Sequence, residues 1–260
     1  MIAENNFNAI PRPTVAQDIT PTAPEFYTKK WLPIPKCTVC MLSASGGVGK
    51  SFFSAQIACQ IIKEEPSRRV LLWLSEDPKG QSRKRLDDIL SRIMKEKDAK
   101  QYLSNIDIIG SDDSTPHITL ENLVDFAAMI EPYAVVVIDP LIAFYPGEEN
   151  SNGEARRFMN IFNYLAVKNS QSIIFVHHHS KGTKENKGST RGAGAFVDAV
   201  RAVFELEIIE EGSNERRLNI VKDNWGARMH LKKDSEFTVL PYPIVEENAK
   251  KGGQNGRGRD

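Results

Sequence analysis

Three cysteines in 260 residues are too few for a disulfide scaffold. Net charge is also missing: 34 basic residues balance 34 acidic ones. Overall charge therefore points to no polyanionic partner, although neutrality can hide local patches. No apolar run is long enough to span a bilayer, and Ala134 to Phe144 is cut by Asp139 and Pro140. The N-terminus lacks the basic-then-apolar build of a signal peptide, and no repeat of solenoid period occurs. With hydrophobic residues at 40% and charged ones at 26%, the composition is that of an ordinary soluble globular protein. The expected setting is a reducing cytoplasm, with no membrane partner. Cys37 and Cys40 form a C-x-x-C pair, but it lies in a strand-like run and not at a helix N-terminus, and no second pair accompanies it. Packing is the favoured reading over redox or zinc chemistry.

Residues 1–28 carry Pro11, Pro13, Pro21 and Pro24 among polar residues and are expected to form a flexible arm that reaches a neighbour. Between 29 and 245, strand-like apolar runs alternate with helical ones, and 246–260 is expected to be a flexible basic tail. Strands are predicted at Thr38–Ala44, Val70–Leu74, Ile106–Ile109, Ala134–Ile138 and Ser172–His177. Helices are predicted at Ser51–Lys63, Lys79–Lys97, Leu120–Ile130 and Gly153–Lys168. This alternation predicts an α/β fold, a mostly parallel sheet flanked by helices. Arg201–Ile209, Arg216–Val221 and Phe237–Leu240 then succeed one another across short polar turns, which predicts an antiparallel C-terminal extension.

Against that background one stretch stands out: Ala44-Ser45-Gly46-Gly47-Val48-Gly49-Lys50-Ser51, between a predicted strand and a predicted helix. Glycines let the backbone fold into a nest of N–H groups aimed at phosphate oxygens, and the helix N-terminus adds its positive dipole end. Ser45 to Ser51 would hold the phosphates, with Lys50 reaching the β- and γ-phosphates and Ser51 offering a hydroxyl to magnesium. The first position of the usual pattern is glycine; here it is Ala44, still small.

Two acidic strand ends complete a phosphate site. Val135 to Asp139 reads as a buried strand ending in a carboxylate, at the sheet edge where the phosphate loop would lie, so Asp139 can hold magnesium beside Ser51. Leu71 to Pro78 is a second such strand. Glu76 sits where a general base would sit if this strand neighbours the loop; its competing reading is a helix-entry acid. Asp77 is assigned to the helix cap before Pro78 or to the metal's surroundings. His177, His178 and His179 point to alternating faces of an extended segment, which disfavours a shared metal. His178 is favoured as a γ-phosphate sensor at the strand end.

These ordered blocks, with Thr190–Arg201 and Val221–Gly226, resemble the RecA-like P-loop ATPases of AAA_25-like type, in particular the RepA-type hexameric replicative helicases of plasmids. The resemblance implies a RecA-like fold, ATP and Mg2+ as cofactors, Glu76 as catalytic base, Asp139 as second magnesium anchor, and an active site shared between subunits of a homo-hexamer. It further implies that Arg201 is the arginine finger supplied by a neighbour, and that Arg85 reaches the nucleotide or the subunit contact. In Lys222-Asp223-Asn224-Trp225-Gly226 the lysine of the related Lys-x-Arg-Asn-Gly pattern is kept, but Asn224 replaces the arginine, which shifts weight to Arg201.

A ring helicase grips single-stranded DNA through loops that follow its catalytic strands. The loop from Pro146 to Gly153 is acidic. The loop from Ser180 to Gly194 carries Lys181, Lys184, Lys187 and Arg191 and can track a phosphate backbone, or can be a solvated basic loop. The reading is thus an ATP-dependent DNA helicase for plasmid or mobile-element replication, with replication initiator or primase partners. The alternative is a RecA-like ATPase with a regulatory or recombination role and no unwinding.

Overall fold

The computed structural model describes residues 10–28, 31–94, 96–148, 151–178, 194–209, 215–227 and 238–239. A short antiparallel pair, β1 (Phe26–Tyr27) and β2 (Ile34–Pro35), leads into the main sheet. Phe26 and Tyr27, at the end of the segment expected to be an arm, are buried. There follow β3 (Val39–Ala44), α1 (Lys50–Glu64), β4 (Val70–Leu74), α2 (Lys79–Ile93), α3 (Glu96–Leu103) and β5 (Ile106–Gly110). The second half comprises α4 (Leu123–Ile130), β6 (Val135–Asp139), α5 (Asn152–Lys168), β7 (Ser172–His178), α6 (Gly194–Ala199), β8 (Ala202–Ile208), β9 (Arg216–Asp223) and β10 (Thr238–Val239).

Every residue of β3, β4 and β6 is buried, which is why these strands read as unbroken apolar runs: helices cover both faces of a parallel sheet. The pleat sends Cys40, Leu42 and Ala44 of β3 to the face covered by α1, and Val39 and Met41 to the opposite face. On that second face Trp73, Phe126, Phe144, Phe158, Phe162 and Phe175 form a chain of ring contacts with centroids 4.8 to 6.4 Å apart. Among the described residues no helix is long and apolar enough to cross a membrane.

The strand order is β10-β9-β8-β3-β7-β6-β4-β5. From β8 across to β5 the neighbours pair in parallel, whereas β9 and β10 are added antiparallel. Three expectations change here. Strand β4 does not neighbour β3; β7 and β6 lie between them. The predicted antiparallel extension begins one strand later, because β8 pairs with β3 in parallel, from Cys40–Ala202 to Ser43–Glu205; the segment containing α6 supplies the crossover that a parallel neighbour needs. The helix predicted to run to Lys97 stops at Ile93, where extended Met94 packs on the core and α3 turns Ala99, Tyr102 and Leu103 onto the same cluster.

Two details tie the ends of β4 and β5 together. Asp112, just past β5, accepts the Lys79 N–H at 3.0 Å and so caps α2 from another element. A Cβ on Gly110 would lie 2.7 Å from that Lys79 nitrogen and 2.8 Å from the Asp77 carbonyl, so only glycine lets the end of β5 approach this closely. In β9 the pairing slips between Val203 and Phe204, leaving Val221 as an extra residue, a β-bulge.

Candidate active site

Strand β3 delivers the chain to the phosphate loop, and the loop's backbone explains its glycines. Gly47 and Gly49 adopt φ of 76° and 103°, the left-handed region, and Gly49 is the residue from which α1 starts. Lys50 is 4% exposed, and its Nζ donates to the carbonyls of Ala44 at 2.9 Å and Ser45 at 2.8 Å. Burial lowers its pKa, opposed by the charges of Asp139 and Glu76. The ammonium is thus held across the mouth of the loop it would serve, by bonds it can exchange for phosphate oxygens.

Asp139 closes β6 and is 3% exposed. Burial raises its pKa to about 6; the Ser51 hydroxyl is near enough to favour the charged form, and the Glu76 charge opposes it. Neither carboxylate oxygen completes a hydrogen bond of normal geometry among the described residues. Two orphaned, buried oxygens beside a hydroxyl at a sheet edge are a hard-oxygen donor set, so Ser51 and Asp139 fit magnesium. A folded-state pKa above the unfolded value means that the ionised form costs stability. That cost is complete above pH about 6 and vanishes below about 4. Asp139→Asn is therefore expected to stabilise the nucleotide-free chain by about 3 kcal/mol at pH 7.5. Denaturant titration checks it, and the gain should shrink as pH falls from 6 toward 4; a destabilised variant contradicts it.

Although β4 is not adjacent to β3, its end is drawn to Asp139: the Ser75 N–H and Oγ donate to the Asp139 carbonyl at 2.9 and 3.2 Å. Glu76 follows, exposed, its charge acting on both Lys50 and Asp139. Asp77 is not the helix cap. Pro78 precedes α2 without a side-chain cap, and the Asp77 carboxylate takes a two-pronged ion pair from Arg85, with Nη2–Oδ1 at 2.9 Å and a shorter Nη1–Oδ2 bond. Arg85 is thereby held inside its own chain, beside the site.

Strand β7 lies against β3, and its register sets Ala44 opposite His178 and Ser43 opposite His177. His178 is exposed at the phosphate-loop edge; His177 is buried, its ring 6.2 Å from that of Phe196 in α6. Arg201 lies at the other edge of the sheet, where its N–H donates to the Val39 carbonyl at 3.0 Å. The length of β3, roughly 16 Å, separates it from the end that feeds the loop. The Arg201 side chain is exposed, and near it Lys222 donates to the Val197 and Asp198 carbonyls at 3.0 and 2.9 Å. Lys181, Lys184, Lys187, Arg191 and His179 lie outside the described residues.

A family model described as an AAA domain, AAA_25, matches residues 9–184, more than half of the chain. The chain belongs to that AAA-domain family. Lys50, Ser51, Glu76, Asp139 and His178 all fall within the matched residues of the AAA domain. Its fold is RecA-like. A solved ATPase domain aligns with a TM-score of 0.57 at 16% identity, over 78% of this chain and 81% of that one. A structure of a DnaB-like replicative helicase and its interactions with primase aligns with a TM-score of 0.58 at 16% identity, over 78% of this chain and 54% of that one.

One residue of this AAA-family chain that touches the phosphate loop escaped the sequence reading. Arg216, 7% exposed, donates from Nε to the Val48 carbonyl at 2.9 Å. A signal existed: alternation in β9 places Arg216 on one face with Leu218 and Ile220, both packed on the core. An arginine in phase with apolar neighbours is an inward-facing arginine.

Proposed function

We propose that this protein is an ATP-driven helicase of the plasmid or mobile-element replication type, hydrolysing ATP between the subunits of a homo-hexamer and moving on single-stranded DNA. The observation that carries the reading is the placement of the phosphate loop and Arg201 at opposite edges of one sheet. No arginine side chain spans that length, so Arg201 does not reach the loop of its own chain, which supports assigning it to a neighbour's loop. Magnesium, when bound, would neutralise phosphate charge from Ser51 and Asp139. The chain's own residues do the rest. Loop N–H groups and Lys50 bind and orient the phosphates, and Glu76 takes the proton of the attacking water. The partner protomer's arginine stabilises charge that develops in the transition state. His178, beside Ala44 in register, would pass the phosphate state to the loop of Lys181, Lys184, Lys187 and Arg191 that follows β7 in the sequence. That loop would track the DNA backbone, and a primase or replication initiator would bring the ring to its origin.

The test is ATP turnover with and without single-stranded DNA, together with unwinding of a forked duplex. Single-stranded DNA should raise turnover several-fold, with the DNA affinity falling steeply as salt rises, as phosphate contacts require. Stimulated turnover without unwinding would favour a regulatory or recombination ATPase. No turnover at all would refute both.

A further inference from the structure

Arg216 is buried, which is uncommon for a guanidinium, and among the described residues its Nε donates to Val48 O at 2.9 Å and its Nη1 to Glu215 O at 3.1 Å. Val48 stands between Gly47 and Gly49, both with positive φ. Glycine on each side leaves the local backbone with little resistance to a flip of the Val48–Gly49 peptide. Across a trans peptide, the carbonyl and the following N–H point in opposite directions. Holding the Val48 oxygen toward β9 therefore turns the Gly49 N–H away from β9, and the N–H groups of such a nest are the ones that bind an anion when they converge.

We propose that Arg216 is a positioning residue of the phosphate site, fixing the Val48–Gly49 peptide so that the Gly49 N–H faces the bound nucleotide. The proposal rests on the reading of this loop as a nucleotide site. Arg216 acts through the loop backbone and not on phosphate directly. Loop N–H groups of this kind cradle the α- and β-phosphates, which di- and triphosphates share. Losing the clamp should thus weaken ADP and ATP alike, whereas a γ-phosphate contact would matter for ATP alone.

Val48-Gly49 is the only Val-Gly step in the sequence. Protein labelled with 13C at valine carbonyls and 15N at glycine therefore gives a single carbonyl–amide correlation that reports this peptide. In nucleotide-free Arg216→Met the Val48 carbonyl resonance should move upfield, and titration with fluorescent analogues should show about tenfold weaker binding of both ADP and ATP. Arg216→Lys, which keeps a charged donor, should recover most of the affinity and part of the shift. Unchanged affinity in Arg216→Met, a loss confined to ATP, or a lysine variant no better than methionine would each overturn the proposal. Should the methionine variant not fold, the lysine variant decides, and an unshifted Val48 resonance overturns it. Failure of the unaltered chain to bind either nucleotide would instead refute the loop reading, while the resonance still reports the contact.

Discussion

Arg201→Ala is expected to cut ATP turnover by about 10³-fold or more while leaving nucleotide affinity unchanged, as loss of a transition-state arginine does. The backbone of Arg201 is fixed twice, by its N–H to Val39 and by its carbonyl, which accepts the Asn224 N–H at 3.0 Å, so alanine should not disturb the turn. Its guanidinium is exposed, in contrast to Arg85, which Asp77 already holds. The trans assignment has a sharper test than the single variant. Lys50→Ala protomers lack the loop lysine and Arg201→Ala protomers lack the finger. Each variant is inactive alone, yet in mixed rings about one interface in four pairs an intact loop with an intact arginine, since head-to-tail contacts use different patches on each side. Recovery of about a quarter of the parent turnover is the expected result. No recovery would sink the assignment.

Glu76→Gln should lower turnover by about 10²- to 10⁴-fold with nucleotide binding retained, because the amide keeps the side chain's shape and loses only its basicity. Single-turnover hydrolysis measured beside fluorescent-nucleotide titration separates the two effects. Asp77→Asn is the control. Its carboxylate is committed to Arg85, so the variant should loosen the start of α2 and slow turnover far less. A reversal of the two effects would move the base from Glu76 to Asp77.

The parts of the site built from consecutive residues were legible in the sequence. An apolar run, a Gly-rich turn and Lys50-Ser51 specify strand, loop and helix by local rules alone, and Asp139 announces itself as an acid ending a buried strand. Strand order was not legible: nothing in the composition of β4 says that β7 and β6 separate it from β3, since all four are similar apolar runs. Asp77 before Pro78 has the local signature of a helix cap, yet the ion pair with Arg85 took its carboxylate and Asp112 took over the capping. Arg216 was hidden for a related reason. Its partner is a backbone carbonyl 168 positions away, and a carbonyl leaves no trace in residue identity.

The bulge at Val221 carries a consequence for how β9 can change. Upstream of it, Arg216, Leu218 and Ile220 share the face covered by α1, where Arg216 meets the loop. Simple alternation would put Lys222 there as well. The extra residue turns Lys222 to the opposite face, pairs it with Val203, and lets it bond the carbonyls at the end of α6. One strand thus addresses two compartments of the molecule, and a single inserted residue is the switch between them. Deleting Val221 would alter no charge and remove only a half-exposed side chain, yet it would reassign the lysine to the wrong layer. Substitution at this position should be tolerated in evolution far more readily than loss of it.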